Sequence, residues 1–191
     1  MQSNAVWPVT KRFPKLTKNI KTDIVIIGGG IVGISCAYYL NQAGYDTVVL
    51  EQDEIGSAAT GASSGLLQYG SGTDLTEAIE LWGQTTAKLI WDESRETSKI
   101  IEGLIKKNEL QSGFVKSGAI MIAKDNNEIN FLEKEKGELK KIGIATKLLS
   151  TNEIKDYFTG RSFLSGLLYP GICKVQGAIF SASLADTFGI K

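Results

Sequence analysis

Histidine is absent from all 191 residues, which removes His-based triads, His general bases and His-ligated metals at once. Only two cysteines occur, Cys36 and Cys173, too few and too far apart in sequence to suggest a disulfide framework or a metal site. Cys36 lies in a helical segment and reads as a small buried apolar residue. No apolar run approaches the length of a membrane span. The first 20 residues, MQSNAVWPVTKRFPKLTKNI, carry prolines and lysines where a signal peptide would need a continuous apolar core. Lys plus Arg and Asp plus Glu balance at 21 each, so neither a nucleic-acid surface nor a charged disordered tail is indicated. Cytoplasmic residence is the default expectation, and the lack of histidine narrows the search to cofactor chemistry. The length suits one substantial domain, or one domain plus part of another.

What is present is organised around residues 22–33, TDIVIIGGGIVG, and the acidic residue Glu51. A β-branched run gives way to Gly28, Gly30 and Gly33 in G-x-G-x-x-G spacing, and a helix-forming segment follows. The three glycines have separable roles. Gly28 permits the tight turn, Gly30 lets a pyrophosphate approach the backbone, and Gly33 lets helix and strand pack closely. The helix start then aims unpaired N–H groups and its positive dipole end at phosphate. A second strand-like run, DTVVL, ends at Glu51, where a carboxylate accepts ribose hydroxyls and repels a 2′-phosphate. Adenine dinucleotides other than NADP remain open at this point.

Residues 1–21 read as an extended arm, and residues 31–43 as a helix with Gly44 closing it and Gly33, Ala37 and Leu40 toward the sheet. Residues 56–72, GSAATGASSGLLQYGSG, are rich in small residues. Composition alone permits a flexible linker; the position beside the fingerprint favours a ligand loop. Asp74 and Glu77 suggest a capping box, and Leu75, Ala78, Trp82 and Leu89 a core stripe, on one long helix or two across 75–107. Residues 114–123 have the content of a strand pair around Ser117 and Gly118. Residues 127–142 read as a solvated helix, 144–149 as a short strand, and Ser150 with Glu153 as the cap of a helix reaching Tyr157. A strand over 165–170 and a helix over 180–188 complete an alternating α/β pattern.

The segments DIVIIGGGIVGISCAYYLNQAGYDTVVLEQ and GSAATGASSGLL resemble the N-terminal part of the FAD-dependent amino-acid and amine oxidoreductases, a group that includes glycine oxidase, sarcosine oxidase, D-amino-acid dehydrogenase and gamma-glutamylputrescine oxidoreductase. The likeness runs more weakly through SGAIMIA and GLLYPGICKVQGAIFSASLADTF. It implies an α/β, Rossmann-like FAD-binding domain with the start of an inserted α+β substrate domain. The implied divisions are an arm at 1–21, an FAD-binding part at 22–112, substrate-domain elements at 113–170 and a return segment at 171–191. It further implies that Ile31 and Val32 meet the diphosphate through their backbones and that Glu51 and Gln52 sit at the adenosine. Ala59, Thr60, Ser64, Gly65 and Leu66 would line the diphosphate, ribityl chain or flavin.

The cofactor implied is FAD rather than NAD, and the substrate a small amine or amino acid that yields a hydride to the flavin. Gly177–Ala178 stands where relatives usually carry a proline before the last helix, so its start is expected elsewhere. Family members are about twice as long, and the chain is expected to be a truncated front half that needs a C-terminal half or partner chain. No residue here is assigned as a catalytic acid or base, and no metal ligand is expected. A nucleotide-binding module without catalysis is the competing expectation, and an NAD-dependent dehydrogenase a third.

Overall fold

The computed structural model describes residues 11–158 and 162–191, grouped in two compact units. The first unit holds the described residues up to Leu66, together with Ile101–Phe114 and Lys174–Lys191. The second holds Leu67–Ile100 and Val115–Cys173.

In the first unit, β1 (Ile24–Ile27) and β2 (Thr47–Leu50) pair in parallel, from Ile24 opposite Thr47 to Ile27 opposite Leu50. Both are β-branched runs, which suit a pleated surface, and a parallel pair requires the crossover that α1 (Ile31–Gln42) supplies. The end of α1 follows the expected chemistry. Gly44, at φ +91°, donates to Asn41 and Tyr45 donates to Leu40, the paired bonds of a Schellman motif that only a residue tolerating positive φ closes easily. Ile34 and Ala37 are fully buried on α1, and α7 (Gly177–Thr187) packs against that helix. Tyr38 and Phe188 meet edge to face at 4.8 Å. The chain end runs beside β2, where the Val49 N–H donates to the Lys191 carbonyl at 2.7 Å.

In the second unit, β4 (Ala119–Ala123), β6 (Ser165–Tyr169) and β5 (Lys147–Ser150) form an antiparallel sheet with β6 central. Leu75 and Ala78 of α3 (Leu75–Trp82), Trp91 of α4 (Gln84–Asn108) and Leu132 and Leu139 of α5 (Asn126–Lys141) bury a core with Ala123 and Leu167 of the sheet. Leu149, Ile154 and Phe163 form a second cluster with Ile120, Ile122 and Leu168. Alternate residues of β4 thus serve different clusters, as the two-residue period of a strand dictates. The four-residue helices α2 (Ala59–Ala62) and α6 (Thr151–Ile154), with the short paired strands β3 (Leu66–Leu67) and β7 (Cys173–Lys174), complete the order.

Several local expectations change. The stripe through Leu75 and Ala78 does not continue to Trp82 and Leu89, which are exposed; Gly83, at φ +79°, breaks the helix and resets its phase, so Ala87 and Trp91 are buried instead. Residues 114–123 hold one strand rather than a pair, because β4 pairs with the distant β6 and Gly118 turns the chain into it. Asp74 occupies the N-cap of α3 without making a side-chain cap, while Glu77 is bonded by the Thr73 hydroxyl. The helix after Ser150 keeps its capping box but ends at Ile154. The last helix starts at Gly177, three residues before 180. Cys36 is exposed rather than buried, since it falls on the outer side of α1. The arm over residues 11–21 has no regular secondary structure, and its first ten residues lie outside the described residues.

One charged residue departs furthest from the solvated helix expected over 127–142. Glu135 on α5 is 1% exposed, and its two carboxylate oxygens accept from the Leu75 and Thr76 N–H groups at 2.9 and 2.8 Å. It satisfies two of the unpaired donors that begin α3, the task the sequence assigns to Asp74.

Candidate functional site

The turn between β1 and α1 is tied together by one carboxylate. Glu51, just past the end of β2, accepts from the Gly29 N–H through Oε2 at 2.7 Å and from the Asp53 N–H through Oε1 at 2.9 Å. Gly28, at φ +104°, donates to the Leu50 carbonyl at 2.8 Å, which holds the turn against the end of β2. A Cβ on Gly33 would overlap the Gly28 carbonyl oxygen, so helix and strand approach closely only because this position has no side chain. Gly30 differs. It is the extended N-cap of α1, and a Cβ there would meet only Thr60 Oγ1, at 3.2 Å. A side chain at Gly30 would therefore press on one hydroxyl, whereas one at Gly33 would press on backbone.

The small-residue segment after Glu51 folds back onto this turn. The Gly56 N–H donates to the Gly29 carbonyl at 3.0 Å, and Thr60 Oγ1 accepts from the Ile31 N–H at the start of α1, also at 3.0 Å. Gly61 and Gly65 are buried, and the Gly65 carbonyl accepts from the Val175 N–H at 2.8 Å. A Cβ on Gly177 would come within 3.0 Å of the Thr60 carbonyl, so the start of α7 packs closely on α2. The segment is a packed loop, not a free linker.

Of the residues singled out from sequence, Gly28, Gly30, Ile31, Gly33, Glu51 and Thr60 are joined by these bonds and close approaches. Gly65 is buried in the same unit, while Val32, Gln52, Ala59, Ser64 and Leu66 present exposed side chains. Sequence reasoning passed over two features. The Gly29 N–H, between the fingerprint glycines, is the donor that Glu51 holds. A cleft of about 550 Å³ opens beside Glu51 and Gln52, walled by Phe13, Leu16 and Ile20 of the arm and by Ile190. The signal for it was the apolar residues spaced among the basic ones in KRFPKLTKNI.

A glycine turn at a helix start, a carboxylate at the end of the second strand and a cleft beside it form the framework of a dinucleotide site. The family described as FAD dependent oxidoreductase matches residues 23–189. The chain belongs to the FAD-dependent oxidoreductase family.

Among relatives of this chain, gamma-glutamylputrescine oxidoreductase of Escherichia coli (strain K12) is 30% identical over 154 residues, covering 78% of this chain and 36% of the relative. The crystal structure of glycine oxidase from Bacillus cereus ATCC 14579 superposes with a TM-score of 0.66 at 23% identity, over 88% of this chain and 44% of that one. L-Amino acid deaminase from Proteus myxofaciens does so with a TM-score of 0.72 at 16% identity, over 98% and 39%. These likenesses show a shared α/β fold, and the chain spans less than half the length of each of the three. No helix among the described residues is long and apolar enough to cross a membrane.

The residues present fit an adenine dinucleotide. Glu51 carries two accepted bonds and a carboxylate has about four acceptor positions, so capacity remains for hydroxyl donors. Gly30, as the N-cap of α1, adjoins the first N–H groups of that helix.

Proposed function

We propose that the first unit binds the adenosine diphosphate portion of FAD and that the whole protein oxidises a C–N bond of an amino acid or amine. The observation that carries this reading is the contrast between Gly33, where a side chain would overlap the Gly28 carbonyl oxygen, and Gly30, where it would meet only the Thr60 hydroxyl at 3.2 Å. In this reading the backbones of Gly30, Ile31 and Val32 receive the diphosphate, Glu51 and Gln52 face the adenosine, and Ala59, Thr60, Ser64, Gly65 and Leu66 line the remainder. Glu51 holds the turn in shape through Gly29 and offers its remaining acceptor positions to the ribose. Thr60 orients the first N–H of α1. FAD, when bound, supplies the hydride acceptor; these residues bind it, orient it and shield it from water.

The substrate class follows from the relatives, whose names include gamma-glutamylputrescine oxidoreductase, glycine oxidase and D-amino acid dehydrogenase. The proposed division places cofactor binding within residues 22–112 and the return segment 171–191, and substrate-domain elements within 113–170. A further polypeptide segment, covalently continuous or a separate chain, is proposed to complete the site. Its support is the relatives' greater length and the apolar side chains left exposed on the first unit, Ile27 at 88% and Val32 at 80%. A cytosolic location agrees with Cys36 and Cys173 forming no disulfide among the described residues.

The test is reconstitution with FAD. Incubation of the chain with FAD followed by gel filtration should leave a flavin absorbance band with the protein, released on denaturation. Gly30→Val should lose most of that band while keeping the parent's far-UV circular dichroism. Equal flavin content in this variant would refute the placement of the diphosphate. A colourless parent chain would refute FAD binding by this chain alone.

A further inference from the structure

We propose that a second cavity, lying wholly within the second unit and walled by Asp74, Glu135, Tyr69, Trp91, Met121 and Tyr169, binds a small organic ammonium ion. This site stands on the geometry of that unit and is independent of the FAD reading.

Two carboxylates meet this cavity without a counter-ion among the described residues. Asp74 makes neither a cap bond nor an ion pair, and Glu135 spends one acceptor position per oxygen on the α3 backbone, leaving others for a donor. The cations close enough to influence Tyr69 are engaged elsewhere: Arg95 with Asp92 and the Ile142 carbonyl, Lys99 with Glu96.

A second, separate observation is the Tyr169 phenol. The residue is 8% exposed and lines the cavity, yet its hydroxyl has no hydrogen-bond partner among the described residues. Among the described residues only Thr76 Oγ1 is a fully enclosed polar side-chain atom without a partner, so the Tyr169 hydroxyl retains access for one. Burial pushes the Tyr169 phenol and the Asp74 carboxyl up from their ordinary values, and in each case neighbouring carboxylates push the same way. Both groups therefore lack a positive partner, which a bound cation would supply.

The lining selects the kind of cation. Among the described residues no group of three or more His, Cys, Asp or Glu could hold a metal ion. Tyr69 and Trp91 instead contribute aromatic rings, whose faces attract ammonium groups, and Met121 contributes an apolar side chain beside which an alkyl tail can lie. The volume, about 290 Å³, equals roughly ten water molecules. That suits an alkylammonium of a few carbons and excludes a nucleotide.

Met121 is the only methionine besides Met1, so its ε-methyl resonance is an assignable reporter. The full chain is titrated with n-butylammonium chloride at constant ionic strength and, separately, with 1-butanol, which has the same number of heavy atoms and no charge. The expected result is a saturable Met121 shift with the ammonium ion binding about tenfold tighter than the alcohol. Asp74→Asn, which removes the charge but no bond the fold uses, should weaken the ammonium ion about tenfold, and Tyr169→Phe severalfold. The proposal is overturned if the alcohol binds equally well, or if Asp74→Asn binds the ammonium ion like the parent. It is also overturned if no shift develops by ~100 mM, far above the millimolar affinity expected of so small a ligand.

Discussion

Replacing Glu135 by glutamine keeps the side chain's shape and removes its charge. The parent carboxylate accepts two backbone N–H groups at 2.9 and 2.8 Å from a position almost closed to solvent. The amide retains one acceptor oxygen, so one charge-assisted bond becomes neutral, while the NH₂ group faces the second N–H and leaves it unsatisfied. A bond to a charged group contributes about 1.5–3 kcal/mol, and an unpaired buried donor costs about 1–3 kcal/mol. An opposing gain arises because Glu135 repels Asp74, but burial is the larger cause of the raised Asp74 pKa, so relief is the smaller effect. The net expectation is a loss of about 3 kcal/mol. With a urea m-value of about 2 kcal/mol/M, the unfolding midpoint of the second unit falls by roughly 1.5 M. The amide protons of Leu75 and Thr76 should exchange faster, and the Asp74 carboxyl should titrate lower by NMR. Glu138→Gln on the same helix serves as the control, since Glu138 pairs with Lys141 at the surface and its loss should cost under about 1 kcal/mol. A Glu135→Gln midpoint equal to that of Glu138→Gln, with unchanged exchange at Leu75 and Thr76, would refute the assignment of Glu135 as the anchor of α3.

Other perturbations separate fold from site. Gly33→Ala forces the new methyl into the Gly28 carbonyl, so thermal denaturation should show a loss of about 1–3 kcal/mol along with lost flavin retention, whereas Gly30→Val, which crowds only the Thr60 hydroxyl, should lose flavin with a smaller loss of stability. Thr76 Oγ1 is buried without a partner; Thr76→Val keeps the shape and the N–H bond to Glu135, and should stabilise by about 1 kcal/mol in urea melts. Glu153 is held down to about 2, first by Lys147 at 2.8 Å and then by Ser150. Because the folded value is depressed, its stabilising contribution is present above the unfolded value of 4.5 and is lost as pH falls toward 2. Carboxyl NMR should give that low midpoint, and Lys147→Met should raise it toward 4.5; an unchanged midpoint would count against the ion pair as the cause.

The family α/β fold was legible because its first unit is a local object. Strand, glycine turn, helix and second strand lie within 22–51, and each step is written in short-range chemistry: β-branched residues at residues 24–27 and 47–50, glycine where φ turns positive, and Gly44 where α1 ends. The pairing of β4 was not legible. Its partner β6 starts 42 residues after β4 ends, and nothing within residues 114–123 distinguishes a hairpin from one strand awaiting a distant neighbour. The register of α4 was missed because one glycine with positive φ shifts which side chains face inward, and periodicity read across that break mixes two phases.

Sequence alone determined that unit 1 is built around Gly28, Gly30, Gly33 and Glu51, since those residues act through backbone conformation and spacing along one continuous stretch. Only tertiary structure decided which charges are buried. Glu135 and Glu138 are indistinguishable in a run of alternating acids and bases, yet one lies buried beneath α3 and the other, half-buried, pairs with Lys141. Tyr169 likewise became a cavity wall only when β6 placed it in the same cavity as Asp74 and Glu135. Burial and proximity arise when segments distant in sequence pack, and no local pattern records which face of a helix or strand will receive its neighbour.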